Sequence, residues 1–276
     1  MLVFLYHNNY GVIKLYIVYG LLSALFASIA TISVKKSLTN CSSILITFYK
    51  TIVMFLISVL FINKINVSKE DTIVLILSGI TTTVSWIYYF KTMKETNIKN
   101  VVALDKLSTI ITMILASLLL NEKFNILSVA FISIGIYLML DLKNIKYIKN
   151  GLISVFFLSV TAVLSKFGIK DTNIFSATFI RNISILIIVT GFSFKQIKLP
   201  DKKTGFYVFI SAIFTMMSWF VFYKGIKISD VAKVLTLEKL NIFFTILISN
   251  EKISRKEAVG LCLIIIGTII LIDLNF

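Results

Sequence analysis

A few charged residues stand inside long apolar runs of this chain: Lys50, Arg181, and the doublets Asp105-Lys106 and Glu238-Lys239. A charge at the centre of a membrane helix costs about 2.5–3.5 kcal/mol on insertion scales, so such residues mark function by default. Cations and carboxylates together suit the binding of a small polar or zwitterionic molecule, or the carriage of a proton on Asp105 or Glu238. Thr47, Lys50, Thr51, Met54 and Ser58 recur at three- and four-residue spacing, which places them on one helical face. Thr178, Arg181 and Asn182 repeat that pattern later in the chain. The expectation is a cation and small polar groups aimed into a wet cavity; the alternative is a long stem snorkelling to the headgroups. Asp105, Ser108, Thr109 and Thr112 share a face, as do Glu238, Asn241, Thr245 and Ser249, and each stripe reads as a cavity wall. The alternative is an acid–Lys doublet at a helix end. Neighbouring helical residues point about 100° apart, so Lys106 and Lys239 face away from the acids beside them. They are expected to gate or to pair with an acid on another helix, or else to snorkel.

Trp86 and Trp219 come shortly before Lys91 and Lys224. That placement suits the aromatic belt at the membrane surface, with Tyr88, Tyr89 and Tyr223 beside it and the two lysines as headgroup anchors. A substrate-stacking role for the two Trp is the second reading. Glu122 and Glu251 fall in short turns and are expected to cap a helix start. Ser23, Ala24, Ala27, Ser28 and Thr31 permit close helix packing.

Enzymatic chemistry has little to work with. The single His, His7, lies in the N-terminal tail, and the two cysteines, Cys41 and Cys262, occupy unlike settings. No disulfide framework, metal site or cofactor is expected. There is no His/Asp/Ser arrangement and no phosphate-cradling glycine loop.

The elements that must position these residues follow from composition. The chain has 276 residues, 58% of them apolar and only 15% charged, with a mean hydropathy of +0.94. Soluble domains carry about a quarter charged residues. The net charge of +15 is scattered Lys rather than a clustered basic face, so no nucleic-acid partner is expected. Leu2–Tyr6 is too short for a signal peptide, and the first span reads as retained. Runs of about 20 apolar residues fall near 12–34, 43–62, 72–90, 101–120, 125–141, 151–168, 174–193, 205–223, 231–249 and 257–274. Their continuity favours helices over barrel strands.

The runs repeat. Ser78–Thr112 aligns with Ser211–Thr245, so that Ser85-Trp86 meets Ser218-Trp219 and Asp105-Lys106-Leu107 meets Glu238-Lys239-Leu240. Asn121-Glu122-Lys123 meets Asn250-Glu251-Lys252, and Asp141-Leu142 meets Asp273-Leu274. Gly20–Asn40 aligns with Gly151–Asp171, Lys35 meets Lys166, and Lys50 meets Arg181. Two five-helix copies, 1–142 and 151–276, are expected. An odd number of spans makes the second cross the membrane in the opposite sense. The expectation is an all-α integral membrane protein of ten transmembrane helices, built as two inverted repeats with the site between them.

Each half resembles the EamA-like unit of the drug/metabolite transporter superfamily. The resemblance rests on a first span ending in Lys35 or Lys166 and a second span holding Lys50 or Arg181. It continues with a turn at Asn121-Glu122 or Asn250-Glu251 and a fifth span with Gly135, or Gly260 and Gly267. Ala103 and Thr236 stand where such units commonly have Pro in the fourth span, and no other cause of a kink is visible. The resemblance implies a multi-pass cell-membrane protein that exports a metabolite, with both termini inside. The Lys and Arg distribution favours both termini outside. Together these readings predict a secondary transporter moving an amino acid or related small polar metabolite by alternating access. Its partners are that metabolite and the lipid bilayer, with protons as the candidate coupling ion; its alternative is a non-transporting membrane scaffold or partner subunit. The expected site is Thr47, Lys50, Thr51, Asp105, Ser108, Thr112, Arg181, Asn182, Glu238, Asn241, Thr245, Trp86 and Trp219, with Lys106 and Lys239 as gate or ion pair.

Overall fold

A computed structural model describes residues 15–62, 67–141 and 145–273. His7, Leu2–Tyr6, Leu142 and Leu274 lie outside the described residues. Twelve α-helices make up the described chain, with no strand among the described residues. They are α1 (Leu15–Ser37), α2 (Ser43–Phe61), α3 (Lys69–Glu95), α4 (Ile98–Asp105), α5 (Leu107–Leu120) and α6 (Ile126–Met139). Then follow α7 (Ile145–Gly168), α8 (Ile174–Ser193), α9 (Lys202–Ile228), α10 (Val231–Glu238), α11 (Asn241–Ser249) and α12 (Arg255–Asp273). Seven helical segments among the described residues, α4 and α5 taken together as one, are long and apolar enough to cross a membrane, and α6 is a shorter apolar helix.

Local chemistry starts and stops these helices. Ser42, Ser68, Asn125, Asn173 and Asp201 each accept a hydrogen bond from a first-turn N–H, at the beginnings of α2, α3, α6, α8 and α9. Asn121 and Asn250 end α5 and α11 at φ 55° and 54°. The left-handed conformation closes a helix, and Asn is one of the few residues other than Gly that adopts it readily.

The helices pair mainly across the two halves of the chain: α1 against α9, α3 against α7, α6 against α12 and α2 against α8. In α6 and α12 a Cβ on Gly135 would lie 2.6 Å from the Gly260 carbonyl oxygen, and one on Gly260 would lie 2.7 Å from that of Gly135. This close approach is how small residues bring membrane helices together. Large apolar side chains such as Leu60, Leu118, Ile126 and Ile187 are exposed, while many Ser and Thr side chains are buried. An apolar outside around a polar inside is the pattern of a helical bundle in lipid.

The fourth and ninth spans differ from expectation. Neither is one helix: the first breaks at Lys106 between α4 and α5, the second at Lys239-Leu240 between α10 and α11. At the first break Thr109 N–H bonds to the Lys106 carbonyl, and at the second Leu240 N–H bonds to the Leu237 carbonyl and Phe243 N–H to the Leu240 carbonyl. These tighter i→i−3 steps interrupt the i→i−4 ladder and release carbonyls. Side chains take some of them up. Ser108 Oγ donates to Asp105 O at 2.6 Å, and Lys106 Nζ donates to Thr236 O at 2.8 Å. Without proline, the acid–Lys doublets themselves mark the breaks.

Candidate functional site

The breaks in α4–α5 and α10–α11 bring the two doublets together in the bundle core. Lys50, Asp105, Lys106, Arg181 and Lys239 are all at most 5% exposed. Lys239 Nζ lies 2.5 Å from Asp105 Oδ2 and 3.3 Å from Glu238 Oε2. Lys239 thus reaches an acid on another helix and also its own neighbour Glu238, against the expectation that it faces away from that neighbour. Lys106, its counterpart, turns instead to the Thr236 carbonyl and, at 3.4 Å, to Thr268 Oγ1.

Trp86 and Trp219 stack on one another with centroids 5.2 Å apart and planes 28° apart. Lys50 Nζ sits 3.9 Å from the Trp86 centroid, and Arg181 Cζ 4.2 Å from that of Trp219. The result is a chain of cation, indole, indole and cation, with one of each from either half. Such cation–π contacts are worth up to about 2 kcal/mol when desolvated. The belt reading of the two Trp is therefore corrected: α3 and α9 face each other through the bundle, and their indoles meet across it. Tyr89 and Tyr223 are corrected with them, since both line the interior cavities described next, Tyr223 being fully buried. Lys91 and Lys224 lie over the rings of Tyr88 and Phe220.

Two small cavities adjoin this stack. One, of about 110 Å³, is lined by Lys50, Asp105, Tyr89, Ser85, Ser154 and Asn241 among others. The other, of about 70 Å³, is lined by Arg181, Thr82, Ser23, Ser165 and Tyr223 among others. Trp86, Trp219, Glu238 and Lys239 border both. The indole pair thus stands between two polar chambers, each with its own cation.

The remaining expected site residues are buried beside the cavities and line neither of them. Thr47 and Thr51 turn back onto the carbonyls of Ser43 and Thr47 in their own helix. Ser108 serves the helix break. Asn182 Nδ2 reaches the Met54 carbonyl at 3.2 Å and Met216 Sδ at 3.6 Å. Thr112 and Thr245 are fully buried, on the packed side of α5 and α11. A shared helical face does not become a cavity wall where a neighbouring helix packs against its lower turns.

Several contributors escaped the sequence. Ser85 and Ser154 hydroxyls meet at 3.2 Å, and Ser23 and Ser218 at 2.9 Å, tying α3 to α7 and α1 to α9. The repeat alignment marks Ser85 and Ser218, and the small-residue face of the first span marks Ser23. Only the cross-pairing of halves reveals them as partners. Glu122 accepts from the N–H groups of Val231 and Ala232 at 2.7 and 3.0 Å, and Glu251 from those of Ile98 and Lys99 at 3.3 Å each. The glutamates do cap helix starts, but each caps the broken helix of the opposite half. Burial pushes the Glu122 carboxyl above its ordinary range, against the pull of those two N–H bonds. Lys35 donates to the Met93 and Thr96 carbonyls at the end of α3, and Lys166 to those of Ile226 and Ser229 at the end of α9. Both occupy the favourable pole of a helix C-terminus.

Comparison with known proteins finds a family for this chain. A model of the EamA-like transporter family matches residues 14–140 and again residues 145–273. A Sinorhizobium protein described as an uncharacterized transporter in the cobO 3′ region is 31% identical over 131 residues, covering 44% of this chain and 92% of that protein. A solved structure, titled only as the crystal structure of a protein, superposes with a TM-score of 0.69 at 13% identity. The match covers 93% of this chain and 96% of that one, and shows a shared fold.

Proposed function

The chain belongs to the EamA-like transporter family, a multi-pass membrane family of the drug/metabolite transporter superfamily, and from that premise we propose that it exports a small polar metabolite by alternating access. In this reading an amino acid or a related compound binds between two inverted five-helix halves, 1–142 and 151–276, that together cross the membrane ten times. The observation that carries it is the Lys50–Trp86–Trp219–Arg181 stack between two polar cavities. A scaffold gains nothing from burying charges at such cost. Two chambers on either side of a stacked aromatic pair suit a molecule that must be reached from one face and released to the other. Broken helices at the centre of a bundle support the same reading, because they place backbone polar groups and helix ends beside a substrate.

Lys50, Arg181, Asp105, Glu238, Asn241, Trp86 and Trp219 form the proposed substrate site. Lys239 and Lys106 are the proposed gate, since a rocking of the halves exchanges the acids within their reach. Asp105 is also the proposed proton carrier: one carboxylate oxygen is held by Lys239, while its Oδ1 is buried without a partner.

The test is counterflow in liposomes of purified protein against a metabolite panel. The variants are Lys50→Gln, Arg181→Gln, Asp105→Asn and Glu238→Gln. Each is expected to lower the rate of the accepted metabolite at least tenfold; rates unchanged in all four exclude this site. A rate that does not vary across an imposed pH gradient removes the proton coupling. A C-terminal reporter fusion decides the orientation of the halves.

A further inference from the structure

The geometry points to a ligand of defined charge: a small organic anion, held through a carboxylate or phosphate group by Lys50 or Arg181 against the Trp86–Trp219 pair. It rests on the transporter reading only for calling that anion the substrate, and it narrows that reading's amino acid or related compound to one that carries a net negative charge.

The argument is a charge balance. Four cations, Lys50, Lys106, Arg181 and Lys239, are buried at the core, and two carboxylates, Asp105 and Glu238, face them. The other acids of the chain stand in loops or within a turn of a helix end. Both core carboxylates engage Lys239. Lys106 is held by a backbone carbonyl. Lys50 and Arg181 are left with no carboxylate within ion-pair distance among the described residues. Arg181 donates to Thr82 Oγ1 at 2.8 Å, and its Nε is buried without a partner. The Lys50 ammonium faces an indole and the larger cavity.

A cation over an aromatic ring is attracted to it, but far less than the loss of hydration requires. The core therefore lacks two negative charges. A zwitterion brings none in net, and a cation enlarges the deficit. An anion supplies what is missing. The indole faces provide apolar surface for the rest of the molecule. Each chamber has one such cation, so a single anion has a place on either side of the stack.

Both tryptophans of the chain stand in this site, so fluorescence excited selectively at tryptophan reads it. Purified full-length protein is titrated with succinate, phenylacetate and glycerol 3-phosphate as anions, with glycine and leucine as zwitterions, and with putrescine as a cation. A saturable change is expected with at least one anion, half-saturating at least tenfold below any zwitterion. Carboxylate and phosphate arms separate the two headgroup chemistries. Lys50→Gln or Arg181→Gln is expected to raise that half-saturation at least tenfold, and Lys50→Arg to retain it. A zwitterion or putrescine binding as tightly as the best anion overturns the proposal, as does an anion response indifferent to both substitutions. If no probe responds, melting decides. Lys50→Met and Arg181→Met are expected to leave the ligand-free melting temperature unchanged or raised; both lowering it as far as Lys239→Met also overturns the proposal. Transport separates the two readings. An anion that binds but never crosses liposomes sinks the transporter and leaves the site. A zwitterion carried equally well by both Gln variants does the reverse.

Discussion

The periphery of this bundle and its core obey different symmetries. At the periphery several contacts made by one half are made again by the other. Lys35 and Lys166 close the ends of α3 and α9, Glu122 and Glu251 cap α10 and α4, and Ser–Ser contacts join α3 to α7 and α9 to α1. At the core equivalent residues behave unequally. Lys239 holds two carboxylates, and Lys106 holds none. The flanks also differ. Between α3 and α8, Ser184 Oγ bonds to the Ile76 carbonyl at 2.9 Å, and the apolar crevice outside them is about 320 Å³. Between α2 and α9 the crevice is about 810 Å³, lined by Phe61, Phe209, Met216 and Phe220 among others. Contacts that keep their symmetry can persist through a motion that interchanges the halves. Those that break it are the ones such a motion must remake.

The largest expected effect tests the core asymmetry. Removing one partner of a buried ion pair costs about 3–5 kcal/mol, because the other charge stays buried alone. Lys239→Met is expected to cost that much in thermal unfolding of detergent-solubilised protein. Lys106→Met breaks hydrogen bonds to a carbonyl and a hydroxyl, with no carboxylate left alone, and is expected to cost less than half as much. Equal losses would mean that the two lysines alternate so freely that neither state is preferred.

What the sequence made legible divides along the same line. Helical spans, the duplication and the charged doublets all follow from composition and spacing, and the family resemblance agreed with them. Cross-half contacts are not local properties. Nothing near Glu122 announces that its partner is the start of α10, because the interlocking of halves sets that distance. The helix breaks were hidden for another reason. A proline signals a kink through the ring it inserts, whereas here the released carbonyls are satisfied by Lys106 from the opposite half and by Ser108. The Trp pair was misplaced because an indole near a lysine reads as interface, and only the facing of α3 and α9 turns both indoles inward.

The seam between α3 and α8 comes next in size. A Cβ at Gly79 would lie 2.6 Å from Ser184 Cβ and 3.0 Å from the Arg181 carbonyl. Gly79→Ala is expected to destabilise by about 1–3 kcal/mol through overpacking. At the equivalent position of α9 the chain already carries Ala212, which is fully buried. A Gly79→Ala protein that melts like the wild type would show that this seam opens at no cost, removing the distinction between the flanks.

The glutamate caps are expected to be equal. Glu122→Gln and Glu251→Gln each weaken an N-terminal cap of the opposite half, at about 0.5–2 kcal/mol. For Glu122 the sign with pH is definite. Its folded carboxyl titrates above its unfolded value, so the folded state holds a proton that the unfolded state releases. Stability is therefore expected to fall as pH rises from about 4.5, the ordinary value of a glutamate, through the raised folded value. Glu122→Gln should flatten that slope. A slope that survives the substitution assigns it to another group.

The smallest effect probes the periphery at its finest. Membrane hydrogen bonds between side chains average about 0.6 kcal/mol. At Ser23 and Ser218 each hydroxyl also reaches the opposing carbonyl, both at 3.1 Å. At the matching pair only Ser85 does so, at 3.0 Å to the Ser154 carbonyl. Ser218→Ala removes its own bond to the Ser23 carbonyl and the hydroxyl contact, and leaves Ser23 one partner. Ser85→Ala strips Ser154 of the hydroxyl contact and leaves it no second one among the described residues. Both substitutions are expected to cost about 0.6 kcal/mol, with Ser218→Ala the better tolerated because Ser23 keeps the Ser218 carbonyl. Melting curves of the two variants and their double mutant check this. Additive losses mean that the α3–α7 and α1–α9 contacts act as independent copies. A coupling as large as either loss would join them through the indole stack between, extending the asymmetry of the core out to the helices that carry it.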